Sequence, residues 1–333
     1  MKASTRLLLW GVAASLGLTA LIAALQPLLA PFQALLLPDQ GPAWYYWKLP
    51  QPELWARVSA WSLYALHQVA LWGVIGYALK HPQTFGENLS KPGWWALIVN
   101  IVFWLLHLAQ TALFYDGTAQ DVPVWSSQFS VILMLILILI LLNDRRGLFF
   151  GKKVPMPAKP VAWLKKYHRF IISFGLVYTF WFHPMEGTWG HLAGFFYMAL
   201  LFLQSVFIQN RNHVNPKWVF FLEASVLVHG TTIALQAGQT LWPMFAFGFG
   251  FMAIFTQMYG FKWPKWVNIS LTVLYFAAVA AVYSGFLWSG GQWKNIHQIV
   301  WIPTILYLMV PVVLALAAGA AWIGDRFARK ESA

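Results

Sequence analysis

Cysteine is absent from this chain, which excludes disulfide staples, thiolate nucleophiles and Cys-ligated zinc or iron–sulfur centres. Charge is scarce too. Asp, Glu, Lys and Arg together make up 10% of the 333 residues, and only 10 of these side chains are acidic. A soluble domain carries about 25% charged residues, so most of this surface is not built to face water. There is no glycine-rich phosphate loop, no G-x-S-x-G elbow, no H-E-x-x-H and no clustered HxxxH and HxxHH pattern, which removes the usual nucleotide, hydrolase, zinc-protease and di-iron signatures. Long polar segments are missing as well. The longest interruptions, 31–55 and 143–166, are too short for a soluble domain.

What remains is hydrophobic, at 59% of residues and a mean hydropathy of +0.60. Ten apolar stretches, at roughly 7–30, 56–79, 94–115, 124–142, 167–183, 189–209, 218–236, 241–259, 266–288 and 298–323, are each about long enough to cross hydrocarbon as a helix. The expected fold is therefore all-α, a polytopic transmembrane helical bundle of about ten spans. Assigning the gaps to alternate sides puts every Lys and Arg on one side except Lys48, Arg57 and Lys294. By the positive-inside rule that side is cytoplasmic and holds both termini, as expected for the bacterial cytoplasmic (inner) membrane. The net charge of +12 and pI near 9.9 sit in short loops beside apolar helices, so the matching partner is anionic membrane lipid and not nucleic acid. The first stretch, with Lys2 and Arg6 ahead of it, is too long for a typical signal-peptide core and is read as an uncleaved span.

The chain reads as a single integral membrane domain, 1–333, with possible sub-bundles 1–143 and 163–333 joined by the basic loop. Gly248, Gly250 and Pro303 are the nearest approach to helices broken at mid-membrane, and a kink or close helix packing accounts for them as well as a transport site does. Most of the 21 Trp residues lie near span ends, among them Trp44, Trp125 and Trp266, as in an interfacial belt.

Candidate chemistry lies with histidine. His67, His107 and His229 fall at the middle or outer half of their spans, while His183 and His191 flank an outer turn, HPMEGTWGH, that also holds Glu186. Ionisable groups in hydrocarbon cost several kcal/mol unless they find partners. On the third span Asn100, His107 and Thr111 form one helical stripe; on the seventh, Ser225, His229, Thr232 and Gln236 form another. These stripes predict an interior site in which His67, His107 and His229 hold a cofactor, haem b or a divalent transition metal, by paired imidazoles. The same stripes would serve equally as interhelical hydrogen-bond glue. In the turn, Pro184 stops the incoming helix and Gly187 and Gly190 permit a tight reversal. There His183, Glu186 and His191 are the candidate catalytic or ligand residues. Glu223 is expected to favour the start of its helix through the dipole, and Asp116 and Asp121 are expected to be solvated loop residues.

Three functions follow. The first is a membrane-embedded haem- or metal-dependent oxidoreductase or enzyme acting on a lipid or quinone-like substrate. The second is a proton-coupled transporter of a small solute, and the third is a structural or assembly factor with polar interhelical contacts only.

Overall fold

A backbone in hydrocarbon must satisfy its own hydrogen bonds, and a helix does so within one segment. The computed structural model describes residues 2–37, 47–51, 53–236, 238, 240–261 and 263–331, and among these there is no strand; Trp44 and Lys262 fall outside them. Long helices occupy the ten apolar stretches: α1 (Ala3–Ala24), α2 (Leu54–Lys80), α3 (Lys91–Phe114), α4 (Val124–Arg146), α5 (Ala158–Phe182), α6 (Trp189–Val206), α7 (Pro216–Gln236), α8 (Trp242–Phe255), α9 (Lys265–Tyr283) and α10 (Trp301–Glu331). Among the described residues, eight segments are long and apolar enough to cross a membrane, and α5 and α8 are not among them. The reason differs between the two. α5 begins with Lys159, Lys165, Lys166 and Arg169, while α8 has 14 residues and rises only about 21 Å against some 30 Å of hydrocarbon.

Side-chain placement is that of an integral membrane protein. On α2 and α3, Leu66, Val69, Ile98 and Leu105 are exposed while His67, Gln68, Asn100 and His107 are buried. Lipid accepts the first set; the second must be paired inside.

The helices form two compact units whose boundaries fall inside α4, α5 and α7, so neither unit coincides with 1–143 or 163–333. The first comprises 1–131 and 169–222. In it α1 packs along α6, where Leu7, Leu8 and Val12 meet the buried Leu200, Leu203, Phe207, Trp218 and Leu222. The start of α1 is tied down by Ser4, whose backbone oxygen accepts from Asn212 Nδ2 at 2.8 Å and whose hydroxyl donates to Glu87. Arg211 holds the same carboxylate at 2.7 Å, and these contacts keep Glu87 below the usual carboxylate pKa range, Ser4 contributing most.

The second unit, 132–168 and 223–333, is built on Phe247, Phe255, Tyr275, Val279, Val282 and Tyr283. Gly248 lies here against Ile302, with room for a Cβ only 3.0 Å from that side chain, and Pro303 sits in the first turn of α10. Close packing is therefore the role of Gly248, and Pro303 follows directly on the helical turns Trp293–Val300. Glu223 departs from the sequence-based expectation. Its carboxylate is gripped by both terminal nitrogens of Arg146, one at 2.7 Å, with the two side chains only 1% and 3% exposed. A buried bidentate pair outweighs a helix dipole.

Removing one partner of such a pair strands the other charge, at a cost of about 3–5 kcal/mol. Glu223→Gln is thus expected to lower the unfolding midpoint in detergent sharply, and the double change Arg146→Met with Glu223→Leu to recover most of the loss. Equal losses in the single and double variants would show that the charges do not act as a pair.

Candidate functional site

The first unit brings together His67, His107, His183, Glu186 and His191; His229 lies in the second. Its stripe on α7 is only partly sequestered, with Ser225, His229 and Thr232 half-buried and Gln236 exposed.

The stripe on α3 is used in full. Asn100 Oδ1 accepts from His67 Nε2 at 3.3 Å and Asn100 Nδ2 donates to Ser205 Oγ at 3.1 Å. Trp181 Nε1 donates to His67 Nδ1 at 3.3 Å, so the partners assign the proton of His67 to Nε2. Phe103 stacks on one side of this imidazole at 4.5 Å and Phe202 also stacks on it at 5.4 Å. Both ring nitrogens are thereby engaged and the ring is fully buried.

His107 serves the end of α5. That helix must stop before Pro184, because the residue preceding a proline is pushed out of helical conformation, and its last carbonyls lose their intrahelical donors. His107 Nε2 donates to Phe180 O at 3.1 Å and to His183 O at 2.9 Å. Four residues along α3, Thr111 Oγ1 accepts from Met185 N at 3.1 Å. Gln26, from the short helical turn Gln26–Leu29, completes the grip: its Nε2 donates to Met185 O at 3.3 Å and its Oε1 accepts from Gly187 N. A Cβ on Gly187 would meet Gln26 Cγ at 2.2 Å, which is why this position requires glycine or a displaced Gln26.

The side chains of the turn form the candidate site. Glu186 and His191 have side chains 3% and 6% exposed and stand 3.8 Å apart, Oε2 to Nδ1. Gln33 Nε2 donates to Glu186 Oε1 at 2.9 Å. Thr188 caps α6 by accepting from His191 N, and its hydroxyl lies 2.9 Å from His191 Nδ1. Trp47 packs edge-on to His191 at 4.8 Å and tilted over His183 at 5.4 Å. His183 Nδ1 donates to Thr179 O at 2.9 Å, which leaves Nε2 as the acceptor nitrogen.

Beside the turn, the loop 115–123 corrects another expectation. Asp121 is paired with Arg57 at 2.7 Å, but Asp116 is 1% exposed. Burial pushes its carboxyl up to about 7, against Gln120 and Arg57, which pull it down. Sequence spacing singled out the histidines but not Gln26, Gln33, Trp47 or Thr188, because glutamines near a span end and a Trp in an interfacial position carry no periodic signal. Among the described residues no three His, Asp or Glu side chains are grouped to hold a metal ion.

Comparison with family models, with curated proteins and with solved structures finds no match.

One outcome follows. His107→Ala leaves two carbonyls at the end of α5 without their donor, and is expected to cost about 2–3 kcal/mol, seen as a lower unfolding midpoint and reduced yield in membranes; an unchanged midpoint would count against the capping role.

Proposed function

We propose that this protein is a proton-coupled transporter of a small solute, with Glu186 and His191 as the groups that hold the transported proton. In this reading it crosses the bacterial cytoplasmic membrane ten times, has both termini in the cytoplasm and presents the 183–191 turn to the outer side. The charge asymmetry of the loops supports that orientation; eight of the crossings rest on helices long and apolar enough to span, and α5 and α8 are proposed as the other two.

The observation that carries the proposal is the buried carboxylate and imidazole at 3.8 Å. A proton can reside on the carboxylate or on the imidazole of such a pair. Protonation turns an acceptor-only carboxylate into a donor, which changes what the turn can bind and how Gln33 and Thr188 engage it. Burial is needed for this. A solvated Glu and His would exchange protons with water without consequence for a neighbouring solute, whereas a sequestered pair makes the charge state costly and therefore coupled.

A haem- or metal-dependent oxidoreductase acting on a lipid or quinone-like substrate fits the same residues less well. His67 uses both ring nitrogens on Trp181 and Asn100, and His107 uses Nε2 on two backbone carbonyls. Ligation by His67 would require breaking its bond to Trp181 or to Asn100, and His107 would have only Nδ1 to offer.

Proteoliposomes containing the wild-type protein and a trapped pH-sensitive dye test the proposal. Addition of one member of a panel of small solutes, such as amino acids, sugars and organic acids, is expected to drive internal acidification. Glu186→Gln should slow this at least tenfold while inserting normally. If no panel member moves protons, or if Glu186→Gln moves them at the wild-type rate, the proposal fails.

A further inference from the structure

The segment 143–169 carries eight Lys and Arg residues but a single acidic one, Asp144, and nothing in the proposed transport cycle uses them. Arg146 is taken up by Glu223. Two of the others, Lys153 and Lys165, line a cavity of about 470 Å³ in the second unit, a size within the ordinary range for small-molecule sites.

The cavity is built by a loop that doubles back over the end of α4. At its tip Leu148 N donates to Lys152 O and Lys152 N to Phe149 O, both at 2.9 Å. The central residues Phe150 and Gly151 have φ of 48° and 72°, as in the primed hairpin turns. Phe150 N donates to Phe255 O at 2.8 Å, which ties the tip to the end of α8. On the return, Asn143 clamps Val154 with two bonds: its Nδ2 donates to Val154 O at 2.8 Å and its Oδ1 accepts from Val154 N at 3.0 Å. Val154, Pro155 and Met156 are thereby held as an apolar wall of the cavity, with Ile140 from α4 and Val161 and Ala162 from α5 as further apolar lining.

Charge and apolar surface meet here at the level where a membrane changes from one to the other. α4 is among the segments able to span, and its apolar run ends at Leu142, just before Asn143 and Asp144. A cavity lined by both Ile140 and Asp144 therefore straddles the edge of the hydrocarbon. Its cations are weakly held. Lys165 Nζ lies 2.9 Å from Asp144 Oδ2, with the two side chains 52% and 71% exposed, and an exposed pair of this kind contributes little. Lys153 has no hydrogen bond or ion pair among the described residues, although its charge bears on Asp144. One carboxylate thus answers two ammonium groups above an aliphatic wall. A free anion would leave that wall unused, and Asn143, the neutral donor of the lining, is already occupied by Val154. An uncharged lipid would leave the second ammonium unmet. An anionic lipid meets both requirements, its headgroup on the lysines and its first methylenes on the wall.

We propose that this cavity holds one anionic glycerophospholipid, with its phosphate on Lys153 and Lys165 and the start of its acyl chains against Ile140, Met156 and Val161. The site does not depend on the transport reading.

Delipidated full-length protein in detergent is titrated with phosphatidylglycerol, phosphatidylcholine or inorganic phosphate, and bound molecules are counted by native mass spectrometry. One phosphatidylglycerol is expected to bind saturably, at least tenfold more tightly than either of the others. Lys153→Gln combined with Lys165→Gln should weaken it at least tenfold. Lys152→Gln combined with Lys166→Gln removes the same charge from exposed positions outside the cavity and should leave it unchanged. Ala162→Trp obstructs the cavity at an exposed lining position without altering charge and should also weaken binding at least tenfold; it decides the matter if the Lys153 and Lys165 variant fails to fold. Equal affinity for phosphatidylcholine, equal loss in the two lysine variants, or unchanged binding in Ala162→Trp overturns the proposal. Inorganic phosphate binding as tightly as the lipid would mark a site for soluble anions and overturns it too.

Discussion

A carbonyl freed at the end of a helix within a membrane protein has little water to turn to, and the way α5 ends governs the rest of the first unit. Pro184 forces the stop, and the donors that the helix cannot provide come from α3 in the form of His107. That single imidazole fixes the rotation of α3 about its axis, since the same face must then present Asn100 to His67 and Thr111 to the turn. His67 in turn is held by Trp181, one of the two residues between the carbonyl-bearing positions served by His107. The polar residues thus form one connected network, and connected networks are worth more than their separate bonds.

The network separates the histidines by role. Those deepest in the helices are donors to fixed acceptors, and their protons are not exchangeable without loss of structure. Those at the turn are different: Glu186 and His191 lie within Coulombic reach of one another, and His183 keeps an acceptor nitrogen. Depth in the chain's apolar stretches is therefore a poor guide to reactivity. The groups best placed for chemistry sit where helices end and the backbone can approach a ligand.

Much of the architecture was legible because lipid imposes it. Each apolar stretch contains a helix, eight of them among the described residues long and apolar enough to cross a membrane, and the Asn100, His107 and Thr111 stripe does face inward. The parallel stripe around His229 has the same periodicity yet is only half-buried; spacing reveals that residues share a face, not what that face meets. Arg146 illustrates a related limit. Counted as a loop charge it supports the positive-inside pattern, but its actual partner is Glu223, distant in sequence and buried with it. Asp116 was read as solvated because it follows a span, and only the fold shows that its neighbours close over it. Long-range pairs of this kind leave no local signal in a single sequence.

The backbone of the turn between α5 and α6 is gripped from outside: His183 O, Met185 N and O, and Gly187 N are held by His107, Thr111 and Gln26. The path of the chain from Met185 to Gly187 is consequently set by side chains borrowed from distant parts of the sequence, so substitutions at Gln26 or Thr111 would reshape a segment that they do not belong to.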